Sequence, residues 1–193
     1  MDPREHLKQR LRLYPHYSDE ALDMAWPLFS FQKLKKGEIL EREGEVARKV
    51  AFVHEGLLRT YYLNDGVEIT NCFCREGGFA AAFSSLVSGL PSGVGLQSVE
   101  ASTVVVAPYA QLKELFFKHI FWQSTAQLLA EHECISRENY SRLLSDHNAA
   151  QRYESVLLNE PDLLQRVPLV QLATYLQVKP ETLSRIRKKR SIS

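Results

Sequence analysis

Glycine is confined to one part of this 193-residue chain. All nine glycines lie between Gly37 and Gly95, and none follows. Glycine adopts the positive φ angles that tight turns require, and in a helix interior it costs roughly 1 kcal/mol relative to alanine. The distribution therefore predicts a turn-rich β domain in the first half of the chain and a helical second half.

The glycine-rich part contains short runs of residues that favour β structure. These runs are residues 50–54, 57–63, 67–73, 95–99 and 103–107. Asp65-Gly66 separates two of them and is typical of a two-residue hairpin turn, because both residue types accept positive φ. Many short strands joined by regular turns predict an antiparallel sandwich or barrel.

Helices are predicted on both sides of this β domain. Residues 1–30 are expected to be helical with a break near Pro15, and Ser18 has the side chain of a good cap for the helix that follows it. Further helices are predicted over residues 109–118, 121–144 and 149–159. Asn148 is expected to cap the last of these.

The long helix over residues 121–144 carries a stripe of apolar and polar residues. Phe121, Leu128 and Ile135 recur at seven-residue intervals, which places them on one side of the helix. Such a stripe packs either against the β domain of the same chain or against a second copy. Polar residues in the stripe favour the second copy, because they fix register between helices. We expect a dimer seam formed by Trp122, Leu128, Leu129, His132, Ile135, Asn139 and Leu143.

Residues 169–189, LVQLATYLQVKPETLSRIRKK, have the pattern of a helix-turn-helix. One helix is predicted from Leu169 to Leu176, and Pro180 opens a second at a position where its missing N–H is not needed. Gln177, in the turn, is expected to adopt positive φ at a cost of roughly 1 kcal/mol. Apolar residues at helical spacing predict one buried side, and basic residues cover the other. This pattern fits either a DNA-reading unit or a helical hairpin with a solvated face, and we favour DNA binding.

The charge distribution supports contact between the C-terminal end and a polyanion. Seven basic residues and one acidic residue lie from Arg166 to the end, a net charge of +6, while the whole chain carries +1. The first 165 residues therefore carry −5. Such a division suggests a basic segment that binds a polyanion and a remainder that stays away from it.

The rest of the composition indicates an ordinary cytoplasmic protein. No apolar run approaches the ~20 residues that a membrane span requires, and the N-terminus lacks the apolar segment of a signal peptide. Cys72, Cys74 and Cys134 are few and odd in number, which fits reduced thiols. Cys72 and Cys74 would share one face of a strand. Two cysteines do not complete a metal site, so no metal and no cofactor are expected.

Four segments resemble the Crp/Fnr superfamily of bacterial transcription regulators. They are KKGEILEREGE (residues 35–45), FVHEGLLRTYY (52–62), PSGVGLQSVEAST (91–103) and LATYLQVKPETLSRIRKK (172–189). Their order and spacing cover nearly the whole chain. The resemblance implies an α+β fold, with an N-terminal antiparallel, jelly-roll-like β-roll flanked by helices. A long dimerisation helix and a C-terminal helix-turn-helix domain would follow. We expect these three parts at residues 1–120, 121–147 and 148–193.

Within the helix-turn-helix, the resemblance assigns base reading to Glu181 and Arg185. Arg185 would donate two hydrogen bonds from its guanidinium to guanine, and Glu181 would accept a hydrogen bond from a cytosine amino group. The full set expected at DNA is Lys179, Glu181, Thr182, Ser184, Arg185, Lys188 and Lys189. Pro180 stands where some members carry an additional arginine. The sequence also stops at Ser193, where many members add a β-hairpin wing, so DNA affinity is expected to be lower and strongly salt-dependent.

The cassette that holds the phosphate in cyclic-nucleotide-binding members is altered. Their Gly-Glu pair corresponds to Ala82-Phe83, and their phosphate-binding arginine corresponds to Ser92. Loss of these charge-assisted contacts predicts no useful affinity for cAMP or cGMP. A pocket for a small, less charged effector is expected at Phe79, Phe83, Ser84, Ser85, Leu86, Ser92 and Val94. The same residues also fit a filled core that binds no ligand.

The leading hypothesis is a homodimeric regulator that is not an enzyme. Its expected partners are a second copy of the chain, double-stranded DNA with a near-palindromic site, and RNA polymerase. One alternative is a sensor or interaction module that has lost DNA binding. Another is an enzyme on a cupin-like barrel, which the scattered histidines disfavour because a metal needs clustered ligands. An iron–sulfur cluster lacks support, since no cysteine precedes Cys72. Haem ligation by His54 and His132 is a weak further hypothesis.

Overall fold

The computed structural model describes residues 1–190, so the last three residues of the domain expected at 148–193 lie outside the described part. The helices are α1 (Pro3–Leu11), α2 (Asp19–Ala25), α3 (Phe83–Ser88), α4 (Tyr109–Phe116), α5 (Ile120–Asp146), α6 (Ala149–Asn159), α7 (Leu163–Arg166), α8 (Leu169–Tyr175) and α9 (Pro180–Arg190). The strands are β1 (Ser30–Leu34), β2 (Ile39–Glu41), β3 (Lys49–Glu55), β4 (Leu58–Asn64), β5 (Val67–Cys74), β6 (Phe79–Ala80), β7 (Gly95–Ser98) and β8 (Ser102–Pro108).

The strands form two four-stranded antiparallel sheets, with orders β1-β8-β3-β6 and β2-β7-β4-β5. Asp65 (φ 50°) and Gly66 (φ 79°) join β4 to β5 in the predicted two-residue turn. Leu58, Leu96 and Val104 are fully buried between the sheets. The predicted α+β fold with an antiparallel β-roll is confirmed.

The N-terminal helices form as predicted, and they pack on the first sheet. The Ser18 side chain accepts a hydrogen bond from the Ala21 backbone N–H at 3.1 Å and so caps α2. Leu7 and Leu11 of α1 are buried against this sheet, where Phe52 is 1% exposed. Helices α1 and α2 therefore belong to the core of the β domain.

Helix α5 leaves the β domain and leads to the C-terminal helices. Asn148 accepts backbone hydrogen bonds from Ala150 and Gln151 at the start of α6, which confirms the predicted cap. Helices α6–α9 enclose an apolar core of their own, which also contains Leu57 and Val99 of the β-roll. The C-terminal helices are thus packed against the β-roll of the same chain. Within residues 1–190, no helix has both the length and the apolar character needed to cross a bilayer.

Candidate nucleic-acid interface and candidate effector cavities

The turn between α8 and α9 has the geometry that the sequence predicts. Gln177 adopts φ 50°, which confirms the expected left-handed conformation. Its N–H donates to the Thr174 carbonyl at 3.1 Å, and the Val178 N–H donates to the Ala173 carbonyl at 3.0 Å. This pair of bonds is a Schellman motif, which satisfies the last carbonyls of α8. It ends α8 and redirects the chain into α9.

The two helices are held by a small apolar core. Leu172, Ala173, Leu176 and Leu183 are each 0% exposed. Ala173 lies in the buried contact of α8 with α9, and its small side chain permits close approach of the backbones. This core presents the opposite side of α9 to solvent.

The exposed side of α9 contains the residues predicted to contact DNA. Lys179, Glu181, Ser184, Arg185, Lys188 and Lys189 are exposed, and Thr182 is half-buried. The Arg185 Nη2 donates to Thr182 Oγ1 at 3.3 Å, one turn away. Arg190, at the end of α9, pairs with Glu154 of α6 at 2.9 Å. The helix therefore presents a polar, mostly basic face while its last described residue anchors it to α6.

Ion pairs fasten the segment that precedes α8 to the β-roll. Arg166 contacts Glu76 at 2.7 Å and Glu100 at 2.6 Å. Arg75 contacts Asp162 at 2.7 Å and Glu160 at 3.1 Å. Sequence reasoning counted Arg166 only as part of the basic segment and did not assign it this role.

These ion pairs and burial shift the pKa values of their carboxyl groups in opposite directions. Burial alone would raise the pKa of Glu76, but hydrogen bonds from Arg166 and from backbone N–H groups, including that of Gly56, bring it below its usual value. Burial raises the pKa of Glu160, although Arg75 opposes the shift. Glu76 is therefore the carboxylate whose charged form this interface stabilises.

An aromatic contact connects the same unit to α5. The rings of Tyr140 and Tyr175 stack with centroids 5.0 Å apart, and the Tyr140 hydroxyl donates to the Tyr175 carbonyl at 2.8 Å. Arg152 of α6 donates to the carbonyls of Leu144 at 2.8 Å and Leu176 at 3.0 Å. It therefore links the ends of α5 and α8. These contacts join α5 directly to the helix-turn-helix in this chain.

Helix α5 has an outer stripe that the same chain leaves uncovered. Leu128, His132, Ile135 and Asn139 follow 4-3-4 spacing, which keeps them on one side of a helix. His132, Ile135 and Asn139 are exposed, and Leu128 is half-buried. These four residues, here called the α5 stripe, are the part of the predicted seam that is available to a second copy.

The other predicted seam residues face their own protomer. Trp122 is 4% exposed, and its indole N–H donates to the Ala21 carbonyl at 2.8 Å. Leu129 lines a cavity beside Trp122, and Leu143 lines a cleft against the β-roll, and both are half-buried. The exposed His132 and Asn139 also line this cavity and this cleft, respectively, so they can contact both their own chain and a second copy. Trp122 therefore does not belong in the seam, because its side chain fills the core of its own chain.

The residues that replace the phosphate cassette make contacts within their own domain. Ala82 is 0% exposed and Ser92 is 3% exposed. Ser92 Oγ donates to the Val94 carbonyl at 2.7 Å, and Ser85 Oγ accepts from the Ala47 N–H at 3.0 Å. Ser84 is exposed. Ser85 and Ser92 bond to the backbone of nearby segments, and Ser84, Ser85, Ser92 and Val94 line neither of the two cavities described next.

Two cavities lie beside the β-roll. The roll–helix cleft, of about 750 Å³, lies between β4, β5 and the C-terminal half of α5, and its walls include Thr60, Cys72 and Ser136. A smaller cavity of about 180 Å³ lies between the first sheet and helices α1, α4 and α5. Of the residues predicted for an effector pocket, Phe79, Phe83 and Leu86 line the smaller cavity, and Phe79 also lines the cleft.

The cleft has polar walls, but its cations are already paired. Arg59 donates to Thr70 at 2.9 Å and to Gln97 at 2.9 Å, and it also pairs with Glu68. Arg137 donates to Glu133 at 2.6 Å. A phosphate entering the cleft would have to displace these partners.

Both thiols of β5 lie at the cleft. Cys72 and Cys74 line it, and so does Phe73 between them. Burial raises the pKa of the Cys72 thiol to about 12 and raises that of Cys74 as well. Both thiols therefore stay protonated at neutral pH.

The histidines are dispersed over several elements. His54 of β3 lies 3.0 Å from His6 of α1, measured between their Nδ1 atoms, while His132 is exposed on α5. Among residues 1–190, no group of three or more His, Cys, Asp or Glu side chains is arranged to hold a metal ion.

The comparisons with known proteins identify the architecture. Residues 31–119 match the family model of the cyclic nucleotide-binding domain. No curated protein shows a significant match to the sequence.

Solved structures of low sequence identity share the fold. FixK2 from Bradyrhizobium japonicum is 20% identical, with 83% of each chain covered and a TM-score of 0.72. CLP from Xanthomonas campestris, a c-di-GMP responsive global regulator, is 16% identical, with 91% of this chain and 92% of its own covered and a TM-score of 0.69. The catabolite activator protein of Thermus thermophilus is 18% identical, with 94% and 86% covered and a TM-score of 0.58. The resemblance to Crp/Fnr regulators is confirmed at the level of the fold.

Proposed function

We propose that this protein is a homodimeric, DNA-binding transcription regulator of the Crp/Fnr type and not an enzyme. The observation that carries the proposal is the α8–α9 unit, in which a left-handed Gln177 and a buried apolar core present a basic helix face to solvent. A helix presented in this way fits the major groove of DNA. Two copies joined along the α5 stripe would place two such helices against a near-palindromic site.

Arg185 and Glu181 are the proposed base readers. Both are exposed in the first two turns of α9, which is the end of a recognition helix that approaches base edges. Arg185 would bind guanine through two N–H groups, and Glu181 would accept from cytosine. Lys188 and Lys189 lie further along the helix and would contact phosphates.

Selection of bound sequences from random duplex DNA tests this proposal. The wild-type protein is expected to enrich a near-palindromic motif. Arg185→Ala should lose preference at one position in each half-site, since a bidentate contact contributes about 1–3 kcal/mol of discrimination. Arg48→Ala, an exposed arginine on the β-roll, is the matched control and should enrich the wild-type motif. If Arg185→Ala enriches the same motif as the wild type, Arg185 is not a base reader.

A second function, that of a sensor module without DNA binding, is favoured by the ion pairs that hold the segment just before the helix-turn-helix on the β-roll. Selection at low salt separates the two, because phosphate contacts strengthen as salt falls. No enrichment by wild type or by Arg166→Ala would support the sensor module. Enrichment by Arg166→Ala alone would instead indicate a DNA-binding unit that the ion pairs restrain.

The effector is proposed not to be cAMP or cGMP. Ala82 supplies no carboxylate for a ribose, and the Ser92 hydroxyl is occupied by Val94. Arg59 and Arg137 are both committed to carboxylates. Calorimetric titration with either nucleotide is expected to show no binding at micromolar concentrations. A micromolar dissociation constant would contradict this interpretation.

A further inference from the structure

The smaller cavity, here called the helix–sheet cavity, is enclosed mainly by apolar side chains. Its walls are formed by α1, by β3 and β8, and by α4 and α5, and include Leu11, Phe52, Phe79, Leu112, Trp122 and Leu129. It measures about 180 Å³. An apolar protein cavity of about 150 Å³ stays dry and admits benzene. The space therefore suits an apolar group of one ring or a short alkyl chain.

Two polar atoms in this cavity wall have no hydrogen-bond partner. Thr125 is 3% exposed, and its Oγ1 is unpartnered. The Nε of Arg10 is also buried and unpartnered. Within residues 1–190, only three buried side-chain nitrogen or oxygen atoms lack a partner, and two of them belong to residues that line this one cavity. Buried polar groups in proteins are normally hydrogen-bonded, so this pair indicates a missing partner.

Both groups can donate, and an arginine N–H cannot accept. The missing partner is therefore an acceptor. The Arg10 guanidinium lies 5.6 Å from the centre of the Tyr14 ring and has no carboxylate within ion-pair distance among the described residues. The other ionisable residues that line the cavity are Tyr14, Tyr109, His132 and Glu133, and the Glu133 carboxylate is already paired with Arg137. The cavity therefore combines apolar walls with one uncompensated cation.

We propose that the helix–sheet cavity binds a small monocarboxylic acid with an apolar body, such as a single-ring aromatic acid. The carboxylate would accept from Arg10 and from the Thr125 hydroxyl, because charge-assisted bonds of this kind offset the loss of hydration. The apolar body would contact Phe52, Phe79 and Leu112. As the effector of the regulator, this ligand rests on the proposed function, whereas its binding to the chain does not.

Calorimetry and thermal melting of the full chain with benzoate test the proposal in the absence of DNA. Benzoate is expected to bind saturably at millimolar or lower concentration and to raise the melting temperature, because it binds the folded state alone. Benzyl alcohol, which has the same ring without the carboxylate, should bind more weakly. Thr125→Val and Arg10→Met should each weaken benzoate binding about tenfold to hundredfold. Arg10→Met should leave binding of benzyl alcohol unchanged within about twofold, since only the charge contact is removed.

Two further variants show which cavity holds the ligand, and a spectroscopic check identifies misfolded variants. Ala126→Leu adds volume to the cavity wall and should block benzoate without removing a polar group. Thr60→Val removes a hydroxyl from the roll–helix cleft and should leave benzoate binding unchanged. Circular dichroism identifies any variant that fails to fold, and the remaining variants then decide the result.

The proposal is overturned if the wild type shows no saturable benzoate binding, or if Thr60→Val and not Ala126→Leu abolishes it. It is also overturned if Thr125→Val raises stability and binds benzoate like the wild type, because the hydroxyl would then be only an unsatisfied group. Selection of DNA sequences is a separate measurement. Its failure would remove the regulator proposal and leave the benzoate result standing, and the reverse also holds.

Discussion

Ile135 offers the sharpest test of the proposed dimer. Its side chain is 58% exposed in the single chain, in the middle of the α5 stripe. Complete burial of an isoleucine contributes about 1.5–3 kcal/mol, so burial of the exposed part contributes about 1–2 kcal/mol. In a two-fold symmetric dimer each protomer contributes its own Ile135, so the burial energy counts twice. Ile135→Ala should therefore weaken the dimer by about 2–3.5 kcal/mol, or roughly 30-fold to 300-fold in dissociation constant.

Sedimentation equilibrium over a range of protein concentrations measures this change. Leu158→Ala is the matched control, because Leu158 is an aliphatic residue on α6 that is 74% exposed and lies off the α5 stripe. The control should dissociate like the wild type. The seam assignment is wrong if Ile135→Ala leaves the dissociation constant within about twofold of the wild type. It is equally wrong if Leu158→Ala weakens the dimer to the same extent.

Three further predictions concern the turn, the docking interface and the N-terminal helix. Gln177→Gly should stabilise the protein by about 1 kcal/mol in urea denaturation, because glycine adopts positive φ without strain; a loss of stability would contradict this. Arg166→Ala should cost about 1–2 kcal/mol after allowance for partial exposure, because Glu76 loses its cation, and should speed proteolysis between the β-roll and the C-terminal helices; an unchanged cleavage rate would count against the docking role. Burial is the main cause, and the neighbouring His54 the second, of a lowered pKa of His6 in the folded protein. As the pH falls, the His6 imidazole is therefore protonated in the unfolded chain before it is protonated in the folded one. Stability should fall as pH drops through the unfolded value near 6.5 towards the lower folded pKa, and melting curves of His6→Gln should show a smaller fall.

The local structure that the sequence predicted correctly depends on short-range chemistry. Ser18 and Asn148 cap helices because their side chains reach backbone N–H groups two or three residues away. Asp65-Gly66 and Gln177 adopt positive φ because of the turn in which each one lies. In each case the partner groups are within a few positions along the chain, so spacing alone identifies them.

The residues that sequence reasoning misassigned depend on long-range packing. Trp122 repeats the seven-residue spacing of the seam, yet it lies towards α2, because successive helix residues are rotated by about 100° and it falls well away from Leu128 and Ile135. Ser85 and Ser92 align with a ligand cassette, but their hydroxyls bond to the backbone of neighbouring loops. Alignment with a cassette does not specify which way a side chain points. The direction depends on loops that the sequence pattern does not describe.

The two unpartnered polar groups of the helix–sheet cavity left no signal in the sequence, although three of the predicted pocket residues line it. Arg10 and Thr125 are separated by more than half the chain, and each is an ordinary residue on an ordinary helix. They line one cavity only because α1 and α5 pack on the same sheet. A buried donor without a partner is a property of the packed state, so it can be recognised only after the fold is known.

Helix α5 connects the proposed ligand, the proposed dimer and the helix-turn-helix. Thr125 lines the helix–sheet cavity, Ile135 lies in the α5 stripe, and Tyr140 stacks on Tyr175 of α8. A ligand changes the balance between two arrangements of α5 only if it binds them unequally. If carboxylate binding favours the arrangement in which the stripes of two copies meet, the ligand will strengthen the dimer. Dimer formation must then tighten ligand binding by the same factor, because coupling between two binding equilibria is reciprocal. Ile135→Ala should therefore weaken benzoate binding without touching its cavity, and equal benzoate affinity in monomer and dimer would mean that α5 does not transmit the signal.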